Sequence, residues 1–516
     1  MIGYQARRIF RDSAAESEAT RHPTPALAGA LLLSAIPALV RALYYPDYPG
    51  TDDSFIHAAI IENLAAGWGW GINPGEPVNL STSPLFTLIM LAVSRVWPDV
   101  MAAGSAISVA AISLSIFGTF VVAGRITNSA AVGLCAAALA TANVHLWRWA
   151  GTFIEAPLAY AGVIAILVAF DSLYRTSLPR AELGRFAALG FSIGVLALLR
   201  FECGLLGLAF FAHHLVNDRR YLIRRYAAAT FGVVVPLAAW AAFAWSTFGT
   251  VIPTTFGAKT SPGVNVFNPM LLAQYASVLG SGFFAGFIVT GGAIALLAAD
   301  GAPGALAAAV RRSVLFVTFI AAILAFYYLK TKSLQSPARY MLPALAVLPL
   351  AAAPFLAAAW SAARGWRAAA VAVIVVQLVA AAVTNHVRVA PVLAHMNGGY
   401  VAAMSAVAEE LNRRCTDGDV VLIEFDIGVV SLRHDHGCRI ADGGALASPE
   451  LRGLTIAQKI EATHARYVVE SLGSPSRSVM EPIPGATLRW SREFASHSVR
   501  SPSRIFVVRL FEIAQP

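Results

Sequence analysis

Twelve apolar segments, most of them near the length of a membrane-spanning helix, recur along this 516-residue chain. A crossing helix needs about 20 mostly apolar residues, and somewhat shorter ones are tolerated. The segments lie near 26–43, 82–97, 100–124, 128–143, 152–170, 186–200, 203–216, 227–247, 273–298, 313–329, 341–360 and 367–384. Composition points the same way, with 57% apolar and 13% charged residues, against roughly 45–50% and about 25% in soluble domains. One core cannot bury that excess in water. This excludes an ordinary cytosolic enzyme, a secreted disulfide mini-protein and a disordered chain, and leaves a polytopic α-helical membrane protein. No period of 20–50 residues repeats, which argues against a solenoid or propeller.

The net charge of +9 and isoelectric point near 9.6 do not indicate nucleic acid. The arginines stand in short clusters between apolar segments, which is how a membrane protein sets its orientation. Arg7, Arg8, Arg11 and Arg21 mark a polar head, 1–23. Arg175, Arg180 and Arg185 form a first loop cluster, and Arg219, Arg220, Arg224 and Arg225 a second. Arg311 with Arg312 and Arg364 with Arg367 form two more. Successive clusters are two segments apart, so all four face one side, the cytoplasm by the positive-inside bias. Five segments separate the head from the first cluster, so one of them does not cross. The short 82–97, opening on Ser83-Pro84 and ending at Trp97-Pro98, is the best candidate.

About eleven crossings remain, with the N-terminus cytoplasmic. Residues 24–384 are the membrane domain, 44–98 its first outer loop, and 385–516 an extracytoplasmic tail. Alternating apolar runs in the tail predict strands at 419–425, 465–470 and 504–511. Helices are expected near 399–413 and 454–463, giving a small α/β domain. Cys135 and Cys203 lie in apolar stretches as packing residues, whereas Cys415 and Cys438 lie where an oxidising compartment would permit a disulfide.

Several polar residues are not explained by spanning a membrane. Asp52 and Asp53 precede a short helix, 54–65, where a cap accounts for one carboxylate more readily than for two. His57 is four residues beyond Asp53, on its helical face. The Gly67-Trp68-Gly69-Trp70-Gly71 run reads as an interfacial turn. Glu155 enters an apolar helix at its outer end, a costly place for a carboxylate without a partner or a function. Arg200 and Glu202 sit where two segments meet, and the simplest reading is a mutual ion pair. Lys259, Lys330, Lys332 and Arg339 fall in outer loops that the positive-inside bias disfavours for basic residues. Outward carboxylates and cations beside a bilayer suit a phosphate-linked lipid substrate. His434 and His436 read as solvated loop residues rather than metal ligands, and no Walker loop, zinc helix or hydrolase elbow is present.

At these residues the chain resembles the GT-C glycosyltransferases, integral-membrane enzymes that transfer a sugar from a polyprenyl-phosphate donor. The run "TDDSFIHAAIIENLAAGWGWGINPGEPVNLSTSPLF", 51–86, is similar to the first-loop signature of a bacterial branch that includes the mycobacterial terminal arabinofuranosyltransferases. "GTFIEAPL" resembles that branch's Gly-Met-Glu-Thr stretch, and "LLRFECG" its Arg-Pro-Glu-Gly. "VIPTTFGAK" resembles its Pro-Asn-Thr-x-x-Ala-Lys, and "ARYMLP" its Arg-Tyr-x-x-Pro. The matches run in family order over 51–343, with departures at Ile154, Phe201 and Thr254.

The resemblance implies a polyprenyl-phosphate-linked sugar donor, a glycan, glycolipid or protein acceptor, and a site on the outer face of a bacterial inner membrane. It leaves the sugar open, arabinofuranose and mannose among the options. Under it, Asp52, with Asp53 close by, is the general base in a one-step inverting transfer. Lys259, Arg339 and His57 hold the donor phosphate, and Arg200, Glu202 and Lys332 are secondary. Glu155 orients the acceptor or joins Asp52 and Asp53 on a divalent cation (magnesium, manganese or calcium); no cofactor is required by the residues themselves. A lipid-substrate transporter or an envelope-assembly scaffold is the competing class. A transporter would place acidic residues mid-bilayer, whereas these stand at helix ends.

Overall fold

The computed structural model describes residues 24–175, 182–219, 221–259, 268–279, 283–298, 302–330, 337–362, 364–394, 396–424, 426–472, 480, 483–495 and 505–514. It is a mostly helical membrane protein with a small sheet at the C-terminal end. Among the described residues, six helices are long and apolar enough to cross a bilayer: Pro25–Tyr44, Val100–Thr127, Glu182–Leu199, Leu222–Phe248, Gly304–Lys330 and the run within Gly365–Arg414. Shorter apolar helices at Pro84–Ser94, Ala130–Thr141, Ala156–Phe170 and Leu342–Ala358 pack among them.

The Pro84–Ser94 helix has 11 residues, about 16 Å at 1.5 Å per residue, half a hydrocarbon core of about 30 Å. The apolar stretch 273–298 is divided between two helices, Pro269–Leu279 and Phe283–Ala298. Helices Glu182–Leu199 and Leu222–Phe248 lie backbone to backbone through glycines. A Cβ on Gly190 would stand 1.9 Å from the Ala229 carbonyl oxygen, and one on Gly232 2.0 Å from that of Ala187. Such small-residue contacts let apolar helices associate by close packing where lipid supplies no hydrophobic drive.

Polar residues collect at both ends of the Glu182–Leu199 helix. At one end Arg225 bonds Glu182 at 2.8 Å and Asp218 at 2.9 Å, within the arginine-rich turns. At the other end stand Glu155, Arg200 and Arg339, and the C-terminal unit covers them.

That unit holds five strands: β1 (Val420–Ile423), β2 (Arg439–Asp442), β3 (Tyr467–Leu472), β4 (Ala486–Ala495) and β5 (Ile505–Ile513). Their order is β2-β1-β3-β5-β4. The first three are parallel, with Leu422 beside Ala441 and Val468, and β5 runs antiparallel to both β3 and β4. β1 leads to β2 on one side, and the next crossover returns to β3 on the other. The carboxyl end of β1 is therefore a topological switch point, where such sheets place their sites. β2 and β4 fall outside the expected strands, because neither "RIAD" nor "ATLRWSREFA" forms an apolar run. Helical structure also continues past Thr384, through Asn385–Val389 and Ala390–Ala394 to Ala402–Arg414.

The loop after the first apolar helix is fastened to this sheet. Asn73 pairs with the backbone of Ile440 in both directions at 2.9 Å, and Arg439 bonds Glu76 at 2.6 Å. The tryptophan run is not an interfacial turn throughout. Trp70 is buried against Trp240, Phe243 and Phe248, while Trp68 stays exposed and sets its ring 4.9 Å from that of His436. His434, expected in solvent, is buried and bonds Asn412 at 2.5 Å and the Cys438 backbone at 3.1 Å.

Cys415 and Cys438 form a disulfide with Cα atoms 5.4 Å apart; Cys135 and Cys203 are free and buried. Alkylation of the unfolded, unreduced protein should label two cysteines, and labelling of four would refute the bond. Closing a loop of this length is worth about 3 kcal/mol, so Cys438→Ser should lower the melting temperature of the protein in detergent.

Candidate functional site

The Asp52–Ala65 helix begins at Thr51, whose backbone N–H bonds Ser54 Oγ at 3.0 Å. Thr51 is the cap, so Asp52 and Asp53 are the first two helical residues and their side chains are available for other work. They diverge. Asp53 forms an ion pair with Arg339. Asp52 turns to the C-terminal unit, where its Oδ1 accepts the Tyr400 hydroxyl at 2.8 Å and the Gly428 N–H at 2.7 Å.

Beneath them lies a buried ion-pair network. Glu155 is fully buried at the foot of the Ala156–Arg175 helix. Its carboxylate accepts from Arg200 at 2.5 Å and from Arg339 at 3.0, 3.2 and 3.3 Å. His57 Nε2 stands 3.7 Å from Glu155 Oε2 and packs edge-on to Phe86, so the histidine expected beside Asp53 also faces Glu155. Arg200 pairs with Glu202, as expected, and reaches the Tyr327 hydroxyl at 3.1 Å. The Tyr340 ring lies 5.3 and 5.7 Å from the Arg200 and Arg339 guanidiniums. Glu155, Glu202 and Asp53 together compensate the two arginines, since partners at this depth must satisfy one another.

Arg339 is thus engaged by Glu155 and Asp53, and a donor phosphate would have to compete with Asp53 for it. Lys259 ends the Thr254–Lys259 helix, whose Thr254 hydroxyl bonds the Leu446 carbonyl at 2.6 Å and whose Thr255 hydroxyl bonds that of Leu80 at 2.9 Å. This helix is pinned between the first loop and the C-terminal unit. The Lys259 side chain, and Lys332 altogether, lie outside the described residues.

One acidic residue of the site escaped the sequence reading. Asp426, three residues beyond β1, has φ +58° and carries a third carboxylate to the Asp52–Asp53 pair. Burial, then the charge of Asp426, then that of Asp53 push Asp52 well above the usual carboxylate range, outweighing the Tyr400 and Gly428 bonds. Burial and the charge of Asp53 push Asp426 up to about 6. The available signal was positional: an acid directly after the predicted strand 419–425 stands at the carboxyl end of a sheet strand.

Among the described residues Asp52 has no cationic partner, whereas Asp53 and Glu155 each have arginine. That separates their chemistry. A carboxylate held by guanidinium is a poor base; a desolvated one facing like charge is a better one. The same comparison decides which residues suit a divalent cation. Glu155 does not fit as a ligand, because two guanidiniums already occupy its oxygens. Asp53 is engaged by Arg339 in the same way, which leaves Asp52 and Asp426 as the carboxylates here without a guanidinium partner among the described residues.

No family model and no curated protein matches the chain. Solved structures do. An ArnT from Cupriavidus metallidurans bound to undecaprenyl phosphate superposes with TM-score 0.56 at 15% identity, covering 93% of this chain and 97% of that one. The Archaeoglobus fulgidus oligosaccharyltransferase tethered to an acceptor peptide gives 0.53 at 13% identity, covering 88% and 70%. The arabinofuranosyltransferase AftD from Mycobacteria gives 0.51 at 15% identity, covering 96% of this chain and 40% of that one. All three are GT-C glycosyltransferases. The architecture expected from the first-loop resemblance is the one the chain adopts: it has the GT-C fold.

Proposed function

We propose that the chain is a membrane glycosyltransferase that moves one sugar from a polyprenyl-phosphate donor to an acceptor hydroxyl. The observation that carries this reading is Asp52: a desolvated carboxylate without a cationic partner among the described residues, directly above a neutralised arginine network and beneath a docked domain. Asp52 removes the acceptor proton as the acceptor oxygen bonds the anomeric carbon. The anomeric C–O bond to phosphate breaks, and polyprenyl phosphate departs with its electron pair. Because the leaving group is already a good anion, no strong general acid is required. Attack from the face opposite the phosphate inverts the anomeric centre.

Lys259 is the first candidate for the donor phosphate, and Arg339 the second through exchange with Asp53. Glu155 holds Arg200 and Arg339 in place. The site lies at the end of the bundle opposite the arginine-rich turns, which favours the outer face of a bacterial inner membrane. The ArnT bound to undecaprenyl phosphate supports a lipid-phosphate donor, and AftD keeps arabinofuranose among the candidate sugars.

The test is transfer by purified protein in nanodiscs, given a panel of polyprenyl-phosphate sugars that includes arabinofuranose and mannose, with membrane extract as acceptor. Release of polyprenyl phosphate from one donor supports the reading and names the sugar. Neither reaction nor binding across the panel would refute it.

The reading also has a pH signature. The base acts ionised, so activity falls as pH drops through the Asp52 pKa. Asp426 raises that pKa, so Asp426→Asn should move the acid limb of the kcat profile to lower pH. An unmoved limb would remove Asp426 from the base's electrostatic environment.

A further inference from the structure

Asp52 belongs to the loop after the first apolar helix, but both hydrogen bonds to its carboxylate come from the chain beyond Thr384. The Tyr400 hydroxyl is one donor and the Gly428 amide the other, and both fall on Oδ1. Neither meets Oδ2, the oxygen left for chemistry.

Three further features show that this contact is built. Tyr400 is 1% exposed and sits in the wide helical turn Asn397–Val401; such π-type turns are rare and recur at functional sites. Asp426 takes a left-handed conformation, φ +58°, just before the amide is presented, a geometry that costs a non-glycine residue energy and persists only where its surroundings enforce it. At Gly428 itself, a Cβ would stand 2.3 Å from the Asp52 carbonyl oxygen, 2.6 Å from Oδ1 and 3.0 Å from the Phe55 Cβ. Only glycine permits the approach.

Resting on the assignment of Asp52 as base, we propose that Tyr400 and Gly428 are positioning residues that clamp Oδ1 from the C-terminal domain and aim Oδ2 at the acceptor. The domain is then part of the catalytic apparatus rather than only a cover, and a bundle with the domain undocked has an unaimed base. Tyr400→Phe removes one hydroxyl and preserves the ring that packs 6.0 Å from Phe494.

Two measurements on the full-length protein in nanodiscs decide the matter. With the donor found on the polyprenyl-phosphate panel, Tyr400→Phe should lower kcat about 100-fold, the scale of a misplaced catalytic group, with KM for the donor and the melting temperature unchanged. An unchanged kcat would overturn the clamp, as would a proportionate fall in kcat and melting temperature, which marks a merely structural hydroxyl. Hydrogen exchange needs no donor: peptides spanning Asp426–Arg433 should lose protection in Asp52→Ala, and unchanged protection there would overturn the clamp. Full activity of Asp52→Asn would instead defeat the base assignment, a failure told apart because the exchange result stands without it.

Discussion

Asp52→Asn should reduce transfer about 10³-fold, within the 10²–10⁴ range for loss of a positioned acid or base. The amide oxygen still accepts from Tyr400 and Gly428, so the fold and the docked domain are retained. What is lost is the capacity to take a proton. KM for the donor should change little, because the phosphate is assigned to cations elsewhere in the site. Steady-state kinetics on the purified variant, with its melting temperature as control, provides the check. Asp53→Asn should behave differently. Its charge is already committed to Arg339, so its loss should act on donor affinity, through a freed arginine, more than on kcat. Equal kcat losses in the two variants would refute the division of labour.

Glu155→Gln carries the largest expected effect on stability. Glu155 is the shared partner of Arg200 and Arg339, all three buried. The amide removes the anion that both guanidiniums share, leaving Arg200 to Glu202 and Arg339 to Asp53, and it turns an NH2 donor toward one of the two cations. Removing one partner of a buried ion pair costs about 3–5 kcal/mol. The variant should melt well below the wild type in detergent, and activity should fall with the folded fraction. A variant of wild-type stability but without activity would return Glu155 to direct acceptor or metal contact.

Much of this was legible in the chain. The first-loop acids, Glu155, Arg200, Glu202 and Arg339 stood out because charge at the edge of an apolar segment needs a partner, and the structure brings these residues together. Their pairing was only partly legible. The Arg200–Glu202 contact is local, but Arg339 meets Glu155 across 184 residues, and spacing says nothing about that distance. Trp70 was misplaced because tryptophan near a membrane favours the headgroup level, and the pull of Trp240, Phe243 and Phe248 is a tertiary fact. Asp426, Tyr400 and Gly428 were missed for a related reason. They lie in the C-terminal unit, where the surrounding sequence is mixed in polarity and a single acid, tyrosine or glycine does not stand out.

The Gly428–Asp52 bond spans 376 residues, and this has a consequence for biosynthesis. At about 5–20 residues per second, the ribosome needs roughly 20–75 s after making Asp52 to deliver its partner. Throughout that interval the growing chain holds its apolar helices and its acidic loop, but Asp52 lacks the Gly428 donor. A nascent or prematurely terminated product would therefore carry Asp52 unclamped, and the contact would form in one late event, when the C-terminal unit folds back onto a loop made long before it.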